Sequence, residues 1–416
     1  MRSRIAESIL RDHSKGGLAP QGGEITVKAD LMLCDDFTTA RTMKLFHEMG
    51  GEVPLDKNNI IITCEHFTPP STLDGAQFQH EIRTIYRKGG ISGFHELGQS
   101  GIGPFVALAE KRIRPGMMIV GTSPVVYSLG GLGCYATAIG AGDMAALWRR
   151  GTIYLVVPST IGVHIKGPKP DYIDGADIGL AILKNFVSTD DYHAFEFHGS
   201  GLDELTLDER LEMTYFTAHS GASVAIASPS KELYGLLGLP YDEIPGEKDE
   251  PDFLYEIEID LNELKPMIAL PPSAEEIITI DETNNIGIDL VIIGGGLGGS
   301  LQNLRETDRI MRSRKPSKNV RVFVYPSSSE IMLEAVREGI IERLIEAGVL
   351  VCAPGRGAEG FGHRGLVTQG ERVLINGFLF HEGRLGHVDS EVYLGSTRTC
   401  ASSAIAGKII SPEGVI

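Results

Sequence analysis

Short apolar runs recur along the chain, and each one ends in a polar or glycine-rich loop. The runs are four or five residues long and rich in Leu, Ile and Val, and most precede a stretch with helical spacing. A continuous apolar run is typical of a parallel strand that helices cover on both faces. The runs are residues 31–34, 60–64, 117–120, 153–157, 290–293, 320–324 and 349–352. The pattern predicts an α/β fold with mostly parallel sheets.

Helical spacing is clearest at the start of the chain. Ile5, Ile9 and Leu10 stand among charged residues at intervals of one helical face, which predicts an amphipathic helix over residues 2–13. Further helices are predicted for residues 171–186, 201–218 and 300–312.

Two changes in composition divide the chain. An acidic, turn-rich segment at 241–252 precedes a proline-containing connector, so we place a domain boundary near 265–285. We place a second, weaker domain boundary near residue 158. We therefore predict three α/β domains, which span residues 1–158, 159–280 and 281–416.

Charge and cysteine usage narrow the class of protein. The 416 residues carry a net charge of −17, which argues against nucleic acid or an anionic membrane surface as a partner. A site for carboxylates in such a chain must be locally basic. The five cysteines are scattered without a CxxC pair, and no apolar segment reaches a bilayer-spanning length. We expect a cytoplasmic protein with reduced thiols.

A glycine-rich turn, Gly294-Gly-Gly-Leu-Gly-Gly299, joins a predicted strand to a predicted helix. Its main-chain N–H groups, Gly295 and Gly296 among them, can bind a carboxylate or phosphate. The spacing also matches the dinucleotide fingerprint, but the next strand, 320–324, is not followed by the acidic residue that NAD binding needs. A turn that serves only tight packing is the third interpretation.

Four segments carry longer motifs, and they follow one another along almost the whole chain. They are residues 64–69 (CEHFTP), 131–146 (GLGCYATAIGAGDMAA), 351–365 (VCAPGRGAEGFGHRG) and 381–394 (HEGRLGHVDSEVYL). Together they resemble the aconitase superfamily, in particular the large subunits of 3-isopropylmalate dehydratase and homoaconitase. The resemblance implies three-layer α/β/α domains, a small carboxylate metabolite as ligand, and a swivelling domain that this chain lacks and a separate small subunit would supply.

The resemblance also implies a 4Fe–4S cluster, but its three cysteine positions correspond here to Gly296, Arg356 and Glu359. A cluster of this kind needs thiolate ligands. We therefore predict that the cluster ligands are replaced, that the cluster is absent and that no other cofactor is required. A mononuclear metal held by histidine and carboxylate side chains remains an alternative.

Roles are assigned position by position. Proton transfer is predicted for four residues. Glu65 and His66 stand where the family has an Asp-His pair, and His219 replaces a glutamate of the family. The fourth residue is Glu359. Arg384 matches an arginine that binds substrate carboxylates in the family. The predicted substrate-binding residues are Arg384, Arg356, Gly295, Gly296, Ser123 and Asp35.

Arg356 and Glu359 have a second interpretation, since the pair can form a salt bridge that fills the volume of a lost cluster. Two functions follow. The first is a cluster-independent lyase or isomerase that acts on a small hydroxy-carboxylate. The second is a non-catalytic paralogue that serves as a binding or regulatory subunit. Charged replacements such as Arg356 favour the enzyme, because a site that only decays needs no new hydrogen-bonding groups.

Overall fold

The structure, a computed structural model, describes residues 4–88, 91–187, 192–241, 253–312, 314–359 and 365–415. The strands in this part of the chain are β1 (Glu24–Val27), β2 (Leu31–Asp35), β3 (Ile60–Thr63), β4 (Gly93–His95), β5 (Met118–Gly121), β6 (Tyr135–Ala138), β7 (Ile153–Val156), β8 (Ser159–Lys166), β9 (His193–His198), β10 (Val224–Ala227), β11 (Glu256–Asp260), β12 (Met267–Leu270), β13 (Glu276–Thr279), β14 (Leu290–Gly294), β15 (Arg321–Tyr325), β16 (Leu350–Val351), β17 (Arg372–Ile375) and β18 (Glu391–Gly395).

Helices alternate with these strands. They are α1 (Ile5–Asp12), α2 (Asp36–Glu48), α3 (Leu73–Arg87), α4 (Gly103–Ala109), α5 (Ala141–Arg150), α6 (Gly175–Asn185), α7 (Leu207–Ala218), α8 (Lys231–Leu236), α9 (Leu301–Met311), α10 (Ser329–Arg337), α11 (Ile340–Glu346) and α12 (Thr397–Ala406). No helix of the described ranges is long and apolar enough to cross a bilayer.

The larger sheets are mainly parallel, which confirms the predicted fold class. A five-stranded sheet has the order β4-β3-β2-β5-β6, and a four-stranded sheet has the order β10-β9-β8-β11. In both, every neighbouring pair is parallel. A seven-stranded sheet, β13-β12-β18-β17-β14-β15-β16, is parallel except where β12 pairs antiparallel with β13 and β18.

Apolar sequence runs account for the central strands. Every residue of β2, β3, β5, β10 and β14 is buried, as expected for strands covered on both faces. The opening helix also forms as predicted, with Ile5, Ile9 and Leu10 packed in a core with β2, β3 and β6. The hydrophobic effect on these faces is the main force that places the sheets.

Two details differ from the sequence pattern. The predicted strand at 153–157 is β7, which pairs only with β1, in a small antiparallel ribbon, and Tyr154 on it is 64% exposed. Strands β12 and β13 precede residue 281 and yet belong to the seven-stranded sheet. The division into three domains stays a prediction, and the acidic segment from residue 242 to 252 lies outside the described residues.

Loops of the five-stranded and seven-stranded sheets are joined by main-chain hydrogen bonds. These loops follow the carboxyl ends of β3, β4, β15 and β16, where ligands of parallel sheets commonly bind. The bonds run from Ile102 N to Ser327 O (2.8 Å), from Ser329 N to Ser100 O (2.9 Å) and from Arg356 N to Glu65 O (2.8 Å). The last of these bonds joins the loop that carries Glu65 to the loop that carries Arg356.

Candidate active site

The centre of the site is the guanidinium of Arg356, which is 1% exposed. Nε donates to Glu65 Oε1 at 2.9 Å, and Nη1 donates to Glu359 Oε2 at 2.6 Å. Nη2 donates to the hydroxyl of Ser123. Such charge-assisted hydrogen bonds are the strong ones in proteins. The predicted salt bridge between Arg356 and Glu359 is therefore present, and Arg356 also binds Glu65.

Glu65 lies directly after β3 and is 2% exposed. Its Oε1 pairs with Arg356, and its Oε2 accepts from Thr63 Oγ1 and from the N–H of Gly103, both at 2.9 Å. Burial raises the pKa of the Glu65 carboxyl, and the positive charge of Arg356 only partly opposes this effect. Burial therefore favours the protonated form of Glu65 more than it is favoured in an exposed carboxyl.

Asp36, the first residue of α2, organises the loop that carries Glu65 and His66. Its buried carboxylate accepts the N–H groups of Glu65 (3.2 Å), His66 (2.9 Å) and Phe67 (3.2 Å) and the amide of Gln79 (2.9 Å). It also lies 3.3 Å from His66 Nδ1. Burial works to raise the pKa of Asp36, but the bonds with His66 and Gln79 outweigh it and lower this pKa.

His66 is protonated more readily than an ordinary histidine. Burial works to lower its pKa, but the hydrogen bond to Asp36 and the nearby charge of Asp35 outweigh burial, and the pKa is raised. The imidazole is 8% exposed and lies among aromatic rings, with the ring of Phe37 at 6.0 Å. An imidazolium in this position is suited to donate a proton.

Asp35, Asp36 and His66 are the one group of the described residues whose spacing suits a metal ion. Asp35 Oδ1 accepts the N–H groups of Phe37 and Thr38 at 2.9 and 2.6 Å, and Oδ2 accepts from the hydroxyl of Thr122 at 2.6 Å. Both carboxylates of this group are thus engaged by N–H and O–H donors. The donor set fits a role in positioning His66 better than a metal site.

On the other side of Arg356, Arg384 and His219 lie near Glu359. Nη2 of Arg384 donates to the main-chain oxygen of Glu359 at 2.9 Å. His219 Nδ1 lies 2.7 Å from the main-chain oxygen of Tyr215, which can only accept, so the neutral ring carries its proton on Nδ1. Burial lowers the pKa of His219, although the charge of Glu359 opposes the shift. A neutral His219 therefore offers Nε2 as a proton acceptor.

The glycine turn packs against the Arg356 loop. Gly294 and Gly295 have φ of +93° and +78°, which L-residues with side chains rarely adopt. A Cβ on Gly295 would lie 2.8 Å from Arg356 O, and a Cβ on Gly296 would lie 2.0 Å from Gly377 O. Close packing thus accounts for the glycines, and the turn places Gly295 against the main chain of Arg356.

Comparisons with known proteins agree with this architecture. The chain matches the model of the aconitase family (aconitate hydratase) over residues 7–285 and 281–407. It is 32% identical over 423 residues to the 3-isopropylmalate dehydratase large subunit of Clostridium kluyveri, with all of both chains covered. It is 34% identical over 418 residues to that of Clostridium botulinum strain Eklund 17B, covering 99% of this chain and 100% of the relative. The chain belongs to the aconitase family.

Membership of the aconitase family confirms the resemblance and the predicted enzyme type, a lyase or isomerase. A non-catalytic paralogue finds no support in these relatives.

The prediction that the chain carries no cofactor is wrong. Large subunits of this aconitase-family dehydratase bind a 4Fe–4S cluster. The chain has five cysteines, whose thiols are available as cluster ligands. Cys34, Cys64, Cys134 and Cys400 are buried, and Cys352 is half-buried. In sequence, Cys34 and Cys64 directly precede Asp35 and Glu65. The replacement of the cluster ligands at the three corresponding positions stays a prediction.

Around Arg356, however, the described side-chain partners offer oxygen and nitrogen atoms and no thiolate. Arg356 and Glu359 are paired with each other, and Gly296 has no side chain. These three positions do not fit a cluster as ligands, so we derive no reaction step through one.

Most of the predicted site residues lie together. The side chain of Arg356 contacts Glu65, Glu359 and Ser123. The next residues around this group are Arg384, Gly295 and His66. The imidazole of His95, at the end of β4, lies apart from this group: its Nε2 is 3.1 Å from Glu110 Oε1, in a more exposed pair. Gly362 and His363 of the motif at 351–365 lie outside the described residues.

Three residues that hold His66 and Asp35 in place were not predicted from the sequence. They are Asp36, Gln79 and Thr122. One signal was available for Asp36. Two consecutive aspartates end the apolar run of β2, and polar side chains at the carboxyl end of a parallel strand are candidates for a site.

Proposed function

We propose that this chain is the catalytic large subunit of an aconitase-type hydro-lyase that acts on a small hydroxy-dicarboxylate. The observation that carries the proposal is the buried Arg356 cluster, which joins two arginines, a carboxyl with a raised pKa and a histidine with a raised pKa. Perturbed ionisable groups gathered in one place are typical of active sites. The names of the relatives support the same class of reaction.

Substrate binding is assigned to the arginines. Arg384 contacts the loop of Glu359 from one side, and Arg356 contacts the Glu359 carboxylate from the other. A guanidinium in a low-dielectric setting binds a carboxylate through paired N–H groups. The two arginines would hold the substrate by its carboxylates and set the reacting carbons between His219 and the loop of His66.

Proton transfer is assigned to the histidines. His219 Nε2 takes the proton from the carbon next to a carboxylate, and His66 gives a proton to the departing hydroxyl, so that water leaves and a carbon–carbon double bond forms. The opposite pKa shifts of the two residues suit these roles, since the base must start neutral and the acid must start charged. Glu65 holds the guanidinium of Arg356 in place beside them. Reversal at the neighbouring carbon yields the isomer.

A small-subunit partner is part of the proposal, because the curated relatives are named large subunits of a dehydratase. The partner would cover the loops after β3 and β16 and exclude water from the substrate. Exclusion of water strengthens each charge interaction within the site.

The test is an activity assay with both subunits. The chain is co-expressed with its small subunit, prepared without oxygen with iron and sulfide, and offered hydroxy-dicarboxylates with and without alkyl substituents while ultraviolet absorbance of the alkene is followed. We expect conversion of at least one substrate. His66→Gln should lower kcat by roughly 100-fold or more, whereas His80→Gln, on the exposed face of α3, should leave it unchanged. No conversion of any substrate, or equal loss in both variants, contradicts the proposal.

A further inference from the structure

Glu359 occupies the position in which a ligand carboxylate would be expected. Its Oε2 accepts from Arg356 Nη1 at 2.6 Å. Of the two carboxylates on this guanidinium, Glu65 is the inner one, with 2% of its side chain exposed, and Glu359 is the outer one, with 13% exposed. The side chain of Arg356 is 2% exposed, so an incoming anion meets Glu359 before it meets Arg356.

We propose that Glu359 is an internal substitute for a ligand carboxylate, and that a small dicarboxylate binds by displacing the Glu359 side chain from Arg356 and then spans Arg356 and Arg384. The inference rests on the proposed function for the class of ligand, and it adds the exchange of one carboxylate for another.

The contacts of Arg384 support a ligand with two carboxylates. Its Nη2 donates to the main-chain oxygen of Glu359, the same residue whose side chain pairs with Arg356. The two guanidinium groups thus flank one residue, and a short molecule with a carboxylate at each end can reach both. A monocarboxylate would gain only one of these pairings.

Charge balance supports exchange over simple addition. The described cluster contains the carboxyl groups of Glu65, Glu359, Asp35 and Asp36 on a chain whose net charge is −17. A further carboxylate beside these groups is disfavoured by like-charge repulsion in a poorly solvated volume. When Glu359 leaves Arg356 and the ligand takes its place, the charge next to the guanidinium does not change.

The side chain of Glu359 has fewer described hydrogen bonds than the side chain of Glu65. Glu359 ends a short turn, Gly357–Glu359, whereas Glu65 is fixed from both sides by Thr63 and by the first N–H of α4. Displacing Glu65 would leave those donors unpaired and buried, which is costly. Displacing Glu359 moves a partly exposed side chain toward solvent.

Titration calorimetry with succinate tests the exchange, because succinate has two carboxylates and no hydroxyl to eliminate. The two-subunit protein is compared with its Glu359→Ala and Glu359→Gln variants. Both variants should bind succinate about 10-fold more tightly than the wild type, since they no longer offer Arg356 a competing charge. The matched control is Glu338→Ala, which removes a glutamate paired with Arg305 on the surface and should leave the affinity unchanged.

Equal or weaker succinate affinity in both Glu359 variants overturns the inference, as does the absence of binding to any of the proteins. Circular dichroism establishes that each variant is folded. The outcome separates the two proposals. A protein that converts no hydroxy-dicarboxylate but gains succinate affinity on loss of Glu359 defeats the proposed function alone, and an active protein without that gain defeats this inference alone.

Discussion

Asp36 illustrates how one residue sets the chemistry of another. Its carboxylate accepts three consecutive main-chain N–H groups and lies against the imidazole of His66. A buried carboxylate with this many donors stays ionised, and its charge favours the imidazolium form of the neighbouring histidine. The acid that we assign to the reaction is therefore prepared by a residue that need not touch the substrate.

Asp36→Asn should lower the pKa of His66, because the variant removes both the charge and the strongest acceptor. In the wild type, stabilisation by protonated His66 is fully present below its ordinary pKa of about 6.5 and is lost as the pH rises through the raised folded value. The variant should lose this pH dependence and roughly 1–3 kcal/mol of unfolding free energy. Histidine NMR titration and urea unfolding measure the two effects, with Asp74→Asn on the exposed start of α3 as control. An unshifted His66 titration would refute the role of Asp36.

At the residue scale, the sequence identified the members of the site better than their partners. Motif positions pointed to Glu65, His66, Arg356 and Arg384. The bond between Arg356 and Glu65 joins residues 291 positions apart, and the bond between Gln79 and Asp36 spans 43 positions. Nothing local in the sequence encodes such pairings, because they arise only when two sheets and their loops pack together.

Among the elements, the strands made of apolar runs were predictable and those with buried polar residues were not. Strand β9 has the sequence HAFEFH, and both His193 and Glu196 on it are buried. A buried glutamate breaks the apolar pattern of a parallel strand, so β9 was not predicted from the sequence. Glu196 is tolerated because Oε1 accepts the N–H of Ala6, in the first turn of α1, at 2.8 Å.

The Glu196 cap predicts a specific pH dependence. Burial raises the pKa of the Glu196 carboxyl to about 7, and the N–H donors of α1 only partly oppose this shift. The folded protein holds this proton more tightly than the unfolded chain, so its contribution to stability is greatest below pH 4.5 and declines until about pH 7. The decline corresponds to about 3 kcal/mol. The Glu196→Gln variant cannot ionise at this position and should not show this decline in stability.

Denaturant unfolding between pH 4.5 and 8 measures the difference between wild type and Glu196→Gln. Glu24→Gln, on an exposed position of β1, provides the control and should follow the wild-type curve. If Glu196→Gln also follows the wild-type curve, Glu196 is not the titrating group.

For the whole molecule, the site forms where loops of three sheets meet, since His219 lies between α7 and β10 of the four-stranded sheet. Glu65 and Ser123 follow strands of the five-stranded sheet, whereas Arg356, Glu359 and Arg384 belong to loops of the seven-stranded sheet. Order and identity of the motifs were sufficient to predict the family and its α/β architecture. The prediction of a protein without a cofactor is wrong. It rested on the three divergent positions Gly296, Arg356 and Glu359 and gave too little weight to the resemblance over the whole chain.

Exchange of oxygen between substrate and solvent tests the proposed reaction most directly. The two-subunit protein is incubated with a hydroxy-dicarboxylate in ¹⁸O-labelled water, and mass spectrometry follows label in the recovered substrate. Reversible loss and return of water must place ¹⁸O at the hydroxyl-bearing carbon, and we predict label there with the wild type and almost none with His66→Gln. Recovered substrate without label, for every hydroxy-dicarboxylate offered, would contradict the assignment of this chain as a hydro-lyase.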